Sequence, residues 1–189
     1  NSGDITLIEA HENYCKQTYR NRCVIATANG TQSLTVPVER PTNVDLNRCP
    51  VRDIRISDHG RWRQLHWNAL QSAYSESPFF EYYADDLHPF FESRYDFLFD
   101  FNMEICRKVC ELLDLRPDLR LTDQYLKRDM LPETTVDYRE AIVPKHPLPD
   151  SSFQPRQYYQ VFASRTGFQP NLSILDLLFN MGPEGIFFL

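Results

Sequence analysis

Long hydrophobic runs are missing from this 189-residue chain. The longest apolar stretches, Leu172 to Phe179 and Ile186 to Leu189, fall far short of the ~18 to 20 residues that a bilayer-spanning helix needs, and Asp176 interrupts the first. A transmembrane segment is therefore not expected. The opening Asn-Ser-Gly-Asp supplies neither the basic nor the apolar stretch of a secretory signal. A dense cysteine framework is also lacking: the five cysteines are an odd number with scattered spacing, which suits free thiols in a reducing compartment, so a cytoplasmic location is expected. Cys106 and Cys110 stand four apart in a helical pattern and should share a packed face, because no nearby histidine completes a metal site; no metal ligands are assigned. No Walker loop, Gly-x-Gly-x-x-Gly, Gly-x-Ser-x-Gly or zinc signature occurs, which removes the usual support for a nucleotide hydrolase, a dinucleotide enzyme or an α/β-hydrolase. Internal repeats and low-complexity tracts are absent too, and the length fits one domain over residues 1 to 189.

Excess positive charge is another absence. The formal net charge is -6. Residues 1 to 70 carry nine Lys/Arg against seven Asp/Glu, and the remainder eleven against nineteen. A bulk field of that sign argues against nucleic acid as a partner but leaves room, in the slightly basic first third, for a small anionic ligand.

What is present reads as alternating strands and helices. Asp4 to Ala10 is expected to be a strand, and Arg22 to Thr27 and Gln32 to Val38 a β-hairpin turning at Asn29-Gly30, a dipeptide suited to positive φ at both centres of a type I′ turn. Val51 to Ser57 is expected as a further strand. Helices are expected over Arg61 to Ser75, ended by Pro78, over Tyr95 to Leu115, ended by Pro117, and over Ile174 to Met181, between a Ser173 cap and Gly182-Pro183. Phe79 to Phe91 reads as a short helix or turn. Leu119 to Tyr125 and Tyr138 to Val143 are weaker strand candidates, and the proline-rich Pro144 to Pro155 an extended surface excursion. The expected class is α/β, a mixed sheet of the Asp4, Arg22, Gln32 and Val51 strands with an antiparallel hairpin and packed helices; α+β is the alternative.

Three constellations carry candidate chemistry. In the first, His11 to Arg22, the loop between two apolar strands presents Lys16, Arg20 and Arg22 as donors to phosphate or carboxylate and Tyr14 or Tyr19 as a stacking face. The alternative is a polar loop whose arginines pair with acidic residues. In the second, Arg61 and Arg63 stand in the first turn of a helix, where basic side chains are unfavourable unless an anion lies close, and Asp58 is one possible source of that charge. His66 follows on the apolar stripe, either as a hydrogen-bonded core residue or as a general base; His11 is the other candidate base. In the third, Asn171 and Ser173 expose amide and hydroxyl groups at a helix entry, and Asp176, three residues on from Ser173, reads as completing its capping box.

The run Glu12-Asn13-Tyr14-x-Lys16-Gln17-Thr18-Tyr19-Arg20-Asn21-Arg22, the Leu34-Thr35-Val36-Pro37-Val38 segment, and Gly167-Phe168-x-Pro170-Asn171-Leu172-Ser173-Ile174-Leu175-Asp176-Leu177-Leu178-Phe179-Asn180-x-Gly182-Pro183 together resemble the WbqC-like family of bacterial proteins. The overall style is similar to members from Bacteroidetes. The resemblance implies a role in surface-polysaccharide, O-antigen-type biosynthesis, and so points to a protein that makes or modifies an activated sugar. It also implies a further strand and an aromatic, proline-containing helix ahead of the Asp4 strand, at which this sequence starts directly, and it transfers no catalytic residues. The function expected on this basis is an acyl or aminoacyl transferase acting on the amino sugar of a nucleotide-linked donor. In it His11 or His66 is the base, the basic residues hold the nucleotide sugar or the acyl-donor anion, and Tyr14 or Tyr19 stacks on base or sugar. The alternative is a noncatalytic binding or assembly protein of the same pathway, with Phe79 to Phe91 as its partner surface. Cofactor and oligomeric state are not legible in the sequence.

Overall fold

The computed structural model describes residues 5–42, 44–144 and 155–189. Among these residues four strands and six helices form two small sheets and a helical layer: β1 (Ile5–Ile8), β2 (Arg22–Thr27), β3 (Gly30–Thr35), α1 (Trp62–Tyr74), α2 (Phe80–Leu87), α3 (Pro89–Glu92), α4 (Leu98–Leu112), β4 (Asp118–Leu121), α5 (Ala163–Thr166) and α6 (Ile174–Met181). The architecture is mixed α/β. It differs from the expected single mixed sheet, because β1 pairs in parallel with β4 while β2 and β3 pair only with each other. The segment expected as a fourth strand, Val51 to Ser57, begins instead as a 3-10 turn over Val51–Asp53 and then contributes only isolated bridges, Arg55 to Phe97 and Ile56 to Val38. Its anchors explain this. Ile54 and Ile56 are buried in a core with Trp62, Leu98 and Phe101, so the backbone follows the side chains into that core and meets the entry of α4.

The hairpin forms, one residue out of the expected register. Thr27 pairs with Gly30, so Ala28-Asn29 occupies the two-residue turn, and only Gly30 of the Asn29-Gly30 pair takes a positive φ, +120°. A type I′ centre at Asn29-Gly30 is therefore not the geometry adopted. The Thr27 hydroxyl donates to the Gly30 carbonyl at 3.2 Å and closes the turn. Tyr138 to Val143 forms turns and no strand. Most of the proline-rich excursion, residues 145 to 154, lies outside the described residues.

Helix α1 places Trp62, His66, Leu70, Ala73 and Tyr74 on one buried side, and the segment from Phe80 to Phe91 folds as two short helices divided by Pro89, a residue well suited to a helix start. Leu70, Leu87, Leu178 and Phe179 are fully buried in the main core, each contributing about 1.5–3 kcal/mol of transfer free energy. α6 packs Phe179 tilted against Tyr74 and edge-on against Phe80, with ring centroids 5.1 and 5.0 Å apart. At its end Gly182 adopts φ +56°, and a Cβ built there would lie 2.6 Å from the Phe79 ring. Gly182→Ala is expected to lower stability by about 1–3 kcal/mol through both left-handed strain and overpacking, read as a shift of the urea midpoint at unchanged slope.

Candidate functional site

The hairpin, α1, α4 and the entry of α6 enclose a cavity of about 380 Å³. Each wall follows from helix or strand periodicity. On α4, two adjacent rows spaced by four residues, Phe101-Ile105-Val109 and Asn102-Cys106-Cys110, face the cavity. On α1, His66 and Leu70 do the same one turn apart. The hairpin adds Arg22, Cys23 and Leu34, and the helix α6 entry adds Ser173 and Leu175.

Four of the residues singled out in the sequence converge here: Tyr19, Arg22, His66 and Ser173 all line the cavity. Tyr19 begins a 3-10 turn, Tyr19–Asn21, capped by the Thr18 hydroxyl. The Tyr19 hydroxyl accepts from Asn171 Nδ2 at 3.0 Å, and Asn171 itself takes a positive φ of +58°. Ser173 behaves as the cap read in the sequence, its hydroxyl accepting from the Leu175 N–H at 3.4 Å, while its own N–H donates to the Val24 carbonyl at 2.6 Å and so ties α6 to β2.

The other candidates lie elsewhere. Tyr14 is 2% exposed in the core with Val36, Leu46 and Ile54, so its ring offers no stacking face, a correction to the sequence reading. Arg20 is claimed by Glu12 through two hydrogen bonds of 2.6 and 2.8 Å, and its carbonyl accepts from Asn102 Nδ2 at 2.7 Å. Lys16 is exposed on the same loop. Arg63 donates to Asp58 at 2.7 Å and lies over the Trp62 ring, 4.8 Å from its centroid; Arg94 reaches the same carboxylate at 3.0 Å. Asp58 thus supplies the negative charge that the basic helix start requires. Two further Arg63 nitrogens, Nε and one Nη, are buried without a partner among the described residues. Arg61 is exposed with φ +51°. His11 sits beside β1, with Nε2 3.1 Å from the Thr122 carbonyl, in a network where Glu9 accepts from the Thr122 hydroxyl, the Leu126 N–H and Arg139. None of these six residues lines the cavity.

Burial sets the electrostatics. The His66 imidazole is held below its ordinary value by desolvation, with the Thr35 backbone acting weakly in the opposite direction, so it is neutral near pH 7. The Cys23 thiol is pushed up by burial against a weaker effect of Ser173, and Cys110 is raised by burial and by Cys106 beside it. Both remain protonated and poor nucleophiles at neutral pH. No group of three or more metal-ligating side chains occurs among the described residues. Among the described residues Arg22 is the one charged residue on the lining, and its side chain donates from Nε to the Thr18 carbonyl at 3.2 Å.

Sequence reasoning missed Asn102, Cys23 and the α4 wall as site components. The signal was the doubled four-residue spacing on α4, which marks a broad inward face. It misassigned Asp176. That carboxylate is fully buried and caps nothing; it accepts from Tyr74 Oη at 2.7 Å, Tyr158 Oη at 2.8 Å and Gln160 Nε2 at 3.0 Å. The aromatic stretch proposed as a partner surface turns Phe80, Tyr83, Leu87 and Phe91 inward and leaves Tyr82 exposed.

The family model described as the WbqC-like protein family matches residues 1–145. The third sequence block, at 167 to 183, lies beyond that match. The chain is 28% identical over 194 residues to the uncharacterized protein Rv1507c of Mycobacterium tuberculosis, covering 90% of this chain and 81% of that protein. No solved structure matches at a significant level. No helix among the described residues is long and apolar enough to cross a membrane.

Proposed function

The chain belongs to the WbqC-like protein family, and from that premise we propose that it acts in bacterial surface-polysaccharide biosynthesis as a transferase that acylates the amino sugar of a nucleotide-linked donor. The observation that carries this reading is the meeting of a neutral imidazole, His66, with Arg22, whose guanidinium bonds the Thr18 carbonyl through Nε and pairs with no carboxylate among the described residues, and with Tyr19 and Ser173 on one largely apolar cavity. A base and an anion-stabilising group in a low-dielectric site are what acyl transfer to an amine requires.

In this reading the amino nitrogen of the sugar attacks the carbonyl carbon of a thioester donor and a C–N bond forms. Arg22 stabilises the oxyanion of the tetrahedral intermediate. His66 takes the proton from nitrogen, the C–S bond breaks, and the proton passes to the departing sulfur, leaving an amide and a free thiol. Tyr19 stacks on the sugar, and exposed Lys16 on the same loop meets the diphosphate.

A thermal-shift screen tests it. A ligand at a hundred times its dissociation constant adds about 2.7 kcal/mol of stability, so nucleotide-linked amino sugars should raise the midpoint clearly and free nucleotides less. A flat response to nucleotide sugars and thioesters alike would sink the transferase reading.

A further inference from the structure

We propose that the cavity is a pocket for an aliphatic acyl chain, selecting an uncharged chain that ends in an anionic or carbonyl oxygen and rejecting an aminoacyl group. This inference deepens the transferase reading and rests on it for its biological meaning, but not for its binding claim.

Polarity decides what the cavity can hold. A pyranose ring carries several hydroxyls, each of which loses its hydration on burial and must find a partner. Leu70, Ile105, Val109 and Leu113 on the lining offer none, and Asn21, Asn102 and Ser173 beside them are already bonded to the Val36 carbonyl, the Arg20 carbonyl and the Leu175 N–H. An alkyl chain needs no such partners and gains from leaving water. The volume, about 380 Å³, lies in the range of small-molecule pockets. The charge on the lining is equally selective. No Asp, Glu or Lys lines the cavity among the described residues, and Arg22 is the single formal charge. An ammonium group buried here would meet a guanidinium and no carboxylate, whereas a carboxylate or carbonyl oxygen finds a forked donor. The thiols of Cys23, Cys106 and Cys110 extend the soft, weakly polar lining. Burial raises the Cys23 and Cys110 thiols and so disfavours their thiolates, which suits them to packing against the chain.

Isothermal titration with saturated carboxylates provides the test, using butanoate, octanoate and dodecanoate, with 8-aminooctanoate and octan-1-ol as controls. Affinity should rise at least tenfold from butanoate to octanoate, and 8-aminooctanoate should bind at least tenfold more weakly than octanoate. Arg22→Gln should weaken octanoate and leave octan-1-ol unchanged. Ile105→Trp, which fills the cavity from the α4 wall, should abolish binding of both; Val109→Phe is a second filling variant should the first fail to fold. Equal affinity for octanoate and 8-aminooctanoate, or octanoate binding that survives a folded filling variant, would overturn the proposal. The two readings fail separately. Transfer from an aminoacyl thioester without octanoate binding would overturn the acyl-chain pocket and keep the transferase, whereas octanoate binding without any transfer would do the reverse.

Discussion

Asp176→Ala is expected to destabilise the protein by about 3–5 kcal/mol, the largest loss of any single substitution considered, because it leaves buried donors without their acceptor. For a chain of this length about 4 kcal/mol corresponds to a fall in Tm of about 8–16 °C, measurable by calorimetry or circular dichroism. The reason is topological as much as energetic. The carboxylate accepts from Tyr74 on α1 and from Tyr158 and Gln160 in the segment before α5, while Tyr74 Oη accepts from the Ala26 N–H of β2 at 3.1 Å. One side chain therefore holds the hairpin, α1 and the C-terminal segment together. Burial raises the Asp176 carboxyl above its usual value, opposed by the three hydrogen bonds, Tyr74 first. In the pH window between the unfolded value, near ~4, and the raised folded value, the folded form thus holds a proton that the unfolded chain has released. The resulting contribution to stability is present in acid and is lost as pH rises through the folded value. Asp176→Asn should lose less than the alanine variant and remove that acid-side component. If Asp176→Ala unfolds within 2 °C of the parent, the carboxylate is not the junction described here.

His66→Gln is expected to reduce the transfer rate by about 10²–10⁴-fold, the usual contribution of a general base, with little change in octanoate affinity, since the amide keeps the volume and loses the base. The imidazole's position explains why it serves. α1 carries it inward between Trp62, whose ring centroid is 5.1 Å away, and the cavity, where burial keeps it neutral and able to accept a proton. The same depression sets a pH dependence of stability with the opposite sign to that of Asp176. Below about 6.5 the unfolded chain binds a proton that folded His66 resists, so stability falls as pH drops through the window below that value, and His66→Gln should flatten the slope there. A kcat unchanged in the folded variant, measured at pH 7, contradicts the assignment of the base.

Local patterns in the sequence located α1, α4 and α6, and the hairpin to within one residue of its turn, because these depend on nearby residues; α5 carried no such signal. Pro78, Pro117 and the Ser173 cap mark chain positions where a helix must stop or start, and α1, α4 and α6 obey them. Long-range pairing was not legible. β1 joins β4 from more than a hundred residues away, and nothing in Ile5 to Ile8 names that partner. The Val51 to Ser57 segment failed as a strand because tertiary packing of Ile54 and Ile56 decides its path, not its weak alternation. The site was half legible for a related reason. His66 sits on a stripe that reads as inward-facing, and Arg22 heads a strand, so both could be placed. Whether an arginine is free depends on which carboxylate reaches it, and Glu12 and Asp58 claim Arg20 and Arg63 through side-chain geometry invisible in one dimension. Asp176 was misread because capping-box spacing is a local signal, while its actual partners stand 102, 18 and 16 residues away.

The most direct test of the central claim, that the cavity is the working site of an acyltransferase, is mass spectrometry of a nucleotide-linked amino sugar incubated with an octanoyl thioester and either the parent protein or Ile105→Trp. An octanoyl mass increment is expected on the sugar with the parent protein and none with the folded, cavity-filled variant. Equal product from both proteins, or no product from the parent, would contradict it.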